Sequence, residues 1–188
     1  MDHDKQPGTI RPESGDYAAY FERYVALVPD GQIIETLEAG LDPMVDIFSR
    51  ILPGREGFRY AAGKWTIREV LGHIIDTERV FAYRALRVAR GDATPLTSFD
   101  QDLFVAGGDF EQVRLADLIE EFVAVRRATI ALFLNLSPAA LDRRGTVGEN
   151  PLTARAAAWM IAGHQLYHEA LLRERYADAL GPTIFSTN

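Results

Sequence analysis

An all-α fold, a bundle of four helices, is what this chain of 188 residues predicts, and three observations carry the prediction. Apolar residues recur at helical spacing over four long stretches. Strand-type alternation is nearly absent. Thr66 followed three residues later by Glu69 is a capping box, the sequence mark of a helix start.

Taken in order, residues 16–27 read as a short helical segment closed by Pro29. The first long helix spans about 32–52, with Ile34, Leu37, Leu41, Met44, Phe48 and Ile51 on one face; Gly40 and Pro43 predict a kink or break within it. The second starts after Trp65 at the capping box and runs to Arg90, before Gly91. The third covers 115–136 and turns Leu118, Ile119, Phe122, Val125, Thr129, Leu132 and Phe133 inward; the fourth covers 153–180. Between the second and third lie residues 91–114. That connection of roughly 20 residues could span 60 Å or more, against about 36 Å for a 24-residue helix. Its length allows a crossover back along the bundle or a folded lid, and the residues alone do not choose. The stretch Phe99-Asp100-Gln101-Asp102 within it reads as a solvated loop that could place polar groups over a site.

The expected organisation is a flexible arm over 1–15, a single helical domain over 16–180 and a tail over 181–188. The 47% hydrophobic share is that of a globular domain. A formal charge of -7 and no basic or aromatic cluster argue against a nucleic-acid binder. Zero cysteines removes disulfides, thiolate metal sites and a cysteine nucleophile, and is compatible with the reducing cytoplasm to which we assign the chain. The first fifteen residues are not those of a signal peptide, and no apolar run approaches the roughly 20 residues of a membrane span. His3, in the arm, is not expected to be a site residue.

The specific chemistry lies in the other three histidines. His164 and His168 stand one turn apart at the centre of the apolar stripe Ala157, Met160, Ile161, Leu171 and Leu172, so both rings should face the core. His73 lies on the shoulder of the stripe Ile67, Leu71, Ile74, Glu78, Phe81, Ala85 and Val88, a position suited to a seam open on one side. Three imidazoles on two rigid elements can hold a divalent metal and leave coordination positions open. The competing reading is a pair of core histidines bonded to buried carboxylates or water. Glu78, a carboxylate inside an apolar stripe, needs an arginine, a tyrosine hydroxyl or a metal-bound histidine. An ion pair with Arg126 or Arg175 competes equally with a role supporting the histidines.

Neighbouring residues exclude better-known chemistries. Gln165 follows His164 where a zincin protease needs its glutamate base. Val70, Ile161 and Gln165 stand where a di-iron carboxylate bundle needs glutamates three residues before its histidines. Gly107-Gly108-Asp109-Phe110 matches part of a cyclic-dinucleotide synthase signature by chance, in a loop with no α/β pattern around it. There is no nucleophile elbow and no phosphate loop.

The stretch Lys64-Trp65-Thr66-Ile67-Arg68-Glu69-Val70-Leu71-Gly72-His73-Ile74-Ile75-Asp76-Thr77-Glu78-Arg79, with Ala162-Gly163-His164-Gln165-Leu166-Tyr167-His168, resembles the DinB-like (YfiT-like) metalloenzyme superfamily over about residues 32–176. The resemblance implies a four-helix bundle in up-down-down-up order, with the long connection crossing over between helices 2 and 3. It also implies a divalent ion, nickel or zinc before iron, manganese or cobalt, held by His73, His164 and His168. Members include S-transferases and isomerases that use low-molecular-weight thiols. The expected function is therefore a metal-dependent transferase or hydrolase acting on a small molecule, with a thiol as one candidate co-substrate and Asp76 and Glu78 supporting the site without binding the ion. A homodimer is the assembly considered. The alternative is a non-catalytic bundle whose metal is structural and which works through a protein partner.

Overall fold

Thr66 begins the helix that organises the bundle: its side chain accepts from Glu69 N at 3.2 Å, and its own N–H donates to Glu69 Oε2 at 2.6 Å. The computed structural model describes residues 10–182. The expectations for residues 1–9, His3 among them, and for 183–188 of the tail fall outside the described residues. The elements are α1 (Glu22–Val25), α2 (Ile33–Ala39), α3 (Leu41–Ser49), α4 (Ile67–Ala89), α5 (Gln101–Gly107), α6 (Leu115–Leu134), α7 (Pro138–Leu141), β1 (Arg144–Val147), β2 (Asn150–Thr153) and α8 (Ala154–Arg175). Short 3-10 turns cover Ala19–Phe21, Phe110–Gln112 and Ala177–Ala179.

Two apolar layers fix the direction of each long helix. Ile33 and Leu37 of α2, Phe81 and Ala85 of α4, Phe133 of α6 and Ala157 of α8 share one layer. Met44 and Phe48 of α3, Leu71 and Ile74 of α4, Leu118 of α6 and Leu172 of α8 share the other. The α2–α3 unit and α8 therefore run from the first layer to the second, while α4 and α6 run the opposite way. This is the up-down-down-up order of an all-α four-helix bundle.

Residues 91–114 make the crossover. Leu96 N donates to Thr146 O at 2.9 Å, and Gly148 N to Leu96 O at 2.8 Å, which pins the connection at the C-terminal end of α4. Its other end reaches the start of α4, where Phe110 lies on Gly72; a Cβ there would meet the ring at 2.3 Å. The segment is not a plain loop. Asp100 caps α5, accepting from Asp102 N and Leu103 N.

The long first helix is broken, as Gly40 and Pro43 predict, and side chains from two other helices take up carbonyls at the break. Arg126 Nη1 donates to Leu37 O at 3.0 Å and Gln165 Nε2 to Gly40 O at 2.6 Å. Three features depart from expectation. A two-stranded antiparallel hairpin pairs Arg144 with Thr153 and Val147 with Asn150, closed by Gly148 at φ 58°. The last helix ends at Arg175 and gives way to a 3-10 turn. The arm expected to be flexible over 1–15 is tied down where it is described: Arg11 lies 4.5 Å over the buried Trp159 ring and donates to Val25 O and Val28 O. No helix among the described residues is long and apolar enough to cross a membrane.

Candidate metal centre

His73 from α4 and His164 and His168 from α8 meet in the core. His164 Nε2 lies 3.0 Å from His73 Nε2 and 3.1 Å from His168 Nε2, and all three residues are at most 5% exposed. They form the one group of three or more metal-type side chains that converges among the described residues.

The protonation chemistry of this cluster suits a cation. Burial pushes His73 down to about 4 and His168 to about 3; His164 is held well below the usual range by burial, then by the charges of His168, His73 and Arg23. All three are therefore neutral at pH 7, each with one lone pair. Hydrogen bonds alone serve the cluster poorly. Two contacts converge on His164 Nε2, which has either one proton or one in-plane lone pair, and His168 Nδ1 is sealed from solvent without a partner among the described residues. Three nitrogens held tetrahedrally at roughly 2.0–2.1 Å from one ion lie about 3.3 Å apart, a few tenths of an ångström more than the two spacings seen. Were Nε2 of His73 to hold the ion, its proton would sit on Nδ1, where Thr77 Oγ1 lies 3.4 Å away. The residues present thus fit a divalent ion.

Each imidazole has its own aromatic wall. Trp65 lies 4.6 Å from His73 between ring centroids, Tyr24 stands edge-on to His164 at 5.2 Å, and Tyr167 stands edge-on to His168 at 5.3 Å. Tyr24 reaches its place because α1 presses its backbone onto α8 at Gly163, where a Cβ would come within 2.1 Å of Tyr24 O. Gly72 and Gly163 therefore do the same work: each precedes a histidine, and each lets a neighbouring element close over it.

Two cavities reach the cluster. One of about 400 Å³ touches His73 and His168, with Arg23, Lys64, Gln101 and Asp102 around it. A second of about 240 Å³ touches His73 and His164 and is bounded by Thr77 and Phe99; Tyr24 and Gln101 border both. Arg23 is held by cation–π contacts to Tyr20 and Tyr24, 3.8 and 4.7 Å from the ring centres, and donates to both hydroxyls. Neither Arg23 nor Lys64 pairs with a carboxylate among the described residues.

The two candidate carboxylates stand apart from this centre. Glu78, 2% exposed, gives both oxygens to Arg126, at 2.9 and 2.8 Å, which is the ion-pair alternative. Arg126, fully buried, also donates to Gln165, so the pair braces α4, α6 and α8 together. Asp76 Oδ1 lies 3.8 Å from Arg79, and burial raises its pKa. Neither hydrogen-bonds to a histidine. Thr77 takes the position beside His73 that had been expected of Asp76 or Glu78. An i+4 offset from His73 marked it, but a threonine in a helix carries little signal. Tyr24 and Arg23 carried none, because only the long-range contact at Gly163 brings them in.

A bundle with one long crossover and three inward histidines defines the class: a four-helix fold with a candidate metal centre in its core. Residues 36–172 match the DinB superfamily, and the chain belongs to it. Among solved structures it is similar to YfiT from Bacillus subtilis, described as a probable metal-dependent hydrolase with an unusual four-helix bundle topology. The identity is 16%, the TM-score 0.71, and the match covers 91% of this chain and 94% of that one. It is also similar to the DinB-like protein YjoA from Bacillus subtilis, at 17% identity and TM-score 0.59 over 82% of this chain and 96% of that one. No curated protein matches the chain.

Proposed function

We propose that the protein is a mononuclear metal-dependent enzyme that acts on a small anionic molecule by hydrolysis or by transfer to a low-molecular-weight thiol. The observation that carries this reading is the meeting of three neutral, buried imidazoles, His164 Nε2 lying 3.0 Å from His73 Nε2 and 3.1 Å from His168 Nε2, with His73 and His168 at the wall of a cavity of about 400 Å³ and His164 at the wall of the smaller one beside it. His73, His164 and His168 would hold the ion, with nickel or zinc suited to an all-imidazole set. Bound there, a divalent ion supplies Lewis-acid activation of water or a thiol at neutral pH.

The remaining work falls to the chain. Thr77 keeps the His73 proton on Nδ1. Trp65, Tyr24 and Tyr167 hold the rings in place and keep water from their faces. Arg23 and Lys64 favour a substrate or thiol bearing a carboxylate, because they are unpaired cations in a chain of net charge -7. Glu78 acts at a distance, by fixing Arg126 and Gln165 beside His164, and Asp76 supports the same helix. The two cavities against the histidines favour a working site over a purely structural one.

Elemental analysis of protein purified without added metal tests the ligand set. We expect up to one divalent ion per chain, lost in the His164→Ala, His168→Ala double variant. Normal occupancy in that variant would sink the assignment. A cobalt-substituted sample should change its visible spectrum on addition of a low-molecular-weight thiol or a small electrophile, and a spectrum indifferent to both would return the site to a structural role.

A further inference from the structure

Three arginines line the groove between α4 and residues 94–99, and two of them have carboxylate partners: Arg79 meets Glu121 and Asp76, and Arg87 meets Asp92. Arg84 has none among the described residues, although at 5% exposure it is the most buried of the three. Among the described residues its one hydrogen bond runs from Nη2 to Thr97 O at 2.7 Å. A guanidinium has five N–H donors, and no other Arg84 nitrogen is sealed in the core without a partner, so the remaining donors open onto the cavities that it borders. A buried, uncompensated cation is costly to the fold, and burial already lowers the Arg84 pKa. Such a group is retained at a cost that an apolar residue in its place would not carry.

The surroundings say what would use it. Phe81 and Phe99 place their rings 5.7 and 5.5 Å from the guanidinium carbon. Arg84 borders two cavities, of about 170 and about 680 Å³, which share Ser98 and Phe99. Around them the walls are largely apolar, with Phe21, Met160 and Leu152 on one side and Tyr83, Leu96 and Phe104 on the other. We infer that Arg84 anchors a second ligand site, set across Phe21 and Phe99 from the smaller histidine cavity, for a small carboxylate with a flat apolar body. A guanidinium accepts a carboxylate through two parallel hydrogen bonds, and the aromatic walls take the body. A single unpaired cation among apolar walls suits one negative charge better than the double charge of a phosphate.

Isothermal titration of phenylacetate into the purified protein tests this site. We expect saturable binding that weakens about tenfold or more in Arg84→Met, which keeps the side chain's length and removes its charge and donors. Circular dichroism should show that variant folded, because an apolar residue in place of an unpaired buried charge is tolerated. Phe99→Leu provides an independent variant that leaves the guanidinium in place, and it should also weaken binding. The His164→Ala, His168→Ala double variant should bind phenylacetate as the unaltered protein does, whatever its metal content. Equal affinity in Arg84→Met, no saturable binding by the unaltered protein, loss of binding in the double histidine variant, or saturation by inorganic phosphate but not by phenylacetate would each overturn the inference.

Discussion

Glu78 shows how one side chain can be read two ways until its partner is known. Its place in an apolar stripe demanded a partner, and nothing in the sequence around it chose between Arg126, Arg175 and a metal-bound histidine. The answer is a doubly hydrogen-bonded pair with Arg126, both groups almost wholly out of solvent. Removing one member of such a pair leaves the other charge buried. Glu78→Leu should therefore cost about 3–5 kcal/mol in denaturant unfolding. Metal content per folded chain should stay unchanged, because Glu78 touches no histidine; a loss of metal without loss of stability would place Glu78 beside the ion after all. The histidines were legible for the opposite reason: an i, i+4 pair at the centre of an apolar stripe leaves its rings few surroundings but each other. Thr77 and Tyr24 were not, since a short hydroxyl in a helix and a tyrosine in a segment of uncertain path have no such constraint.

Among the elements, the capping box marked the start of α4 correctly because its signal is local: two side chains and two backbone groups within four residues. The break at Gly40 was visible too, but not its cause. There the helix is held open by Gln165 and Arg126, residues more than 80 positions away. The β1–β2 hairpin escaped because its strands have four residues each and β2 contains Pro151, a residue that demotes a strand reading. α1 was expected as a short helix, yet its function depends on Gly163, where α8 offers no side chain and the backbone of Tyr24 fills the space. Gly163→Ala tests that contact. A methyl group there collides with backbone and not with a flexible side-chain tip, so α1 has to move. We expect a loss of roughly 1–3 kcal/mol in unfolding free energy despite alanine's better helix propensity. Increased exposure of Tyr24 to solvent should accompany it, seen as faster hydrogen exchange in α1. A variant as stable as the parent would mean that α1 is not pressed against α8.

For the whole molecule, the question is what the histidine centre costs the fold when no ion is bound. Helical periodicity and length were enough to read a bundle, whereas the order of its helices came from the family resemblance, since a 24-residue connection can cross over or fold back equally well. The two apolar layers that set this order contain no histidine, so the bundle has its own reason to stay folded. Circular dichroism after chelation at pH 7.5 should keep most of the helical signal, unlike a zinc finger. Acid should then find the weak point. His73 and His168 are pushed from 6.5 to about 4 and about 3 by burial, so the unfolded chain binds more protons than the folded one between those values. Stability of the chelated protein is therefore full above pH 6.5 and falls as pH drops towards 4, with a slope of up to about 1.4 kcal/mol per pH unit for each histidine. His168→Gln removes one titrating group and should flatten that slope, which urea midpoints measured at pH 7.5, 6 and 5 would show. If the chelated protein is equally stable at pH 7.5 and 5, burial does not hold the imidazoles neutral, and the cluster takes up protons in acid as exposed histidines do.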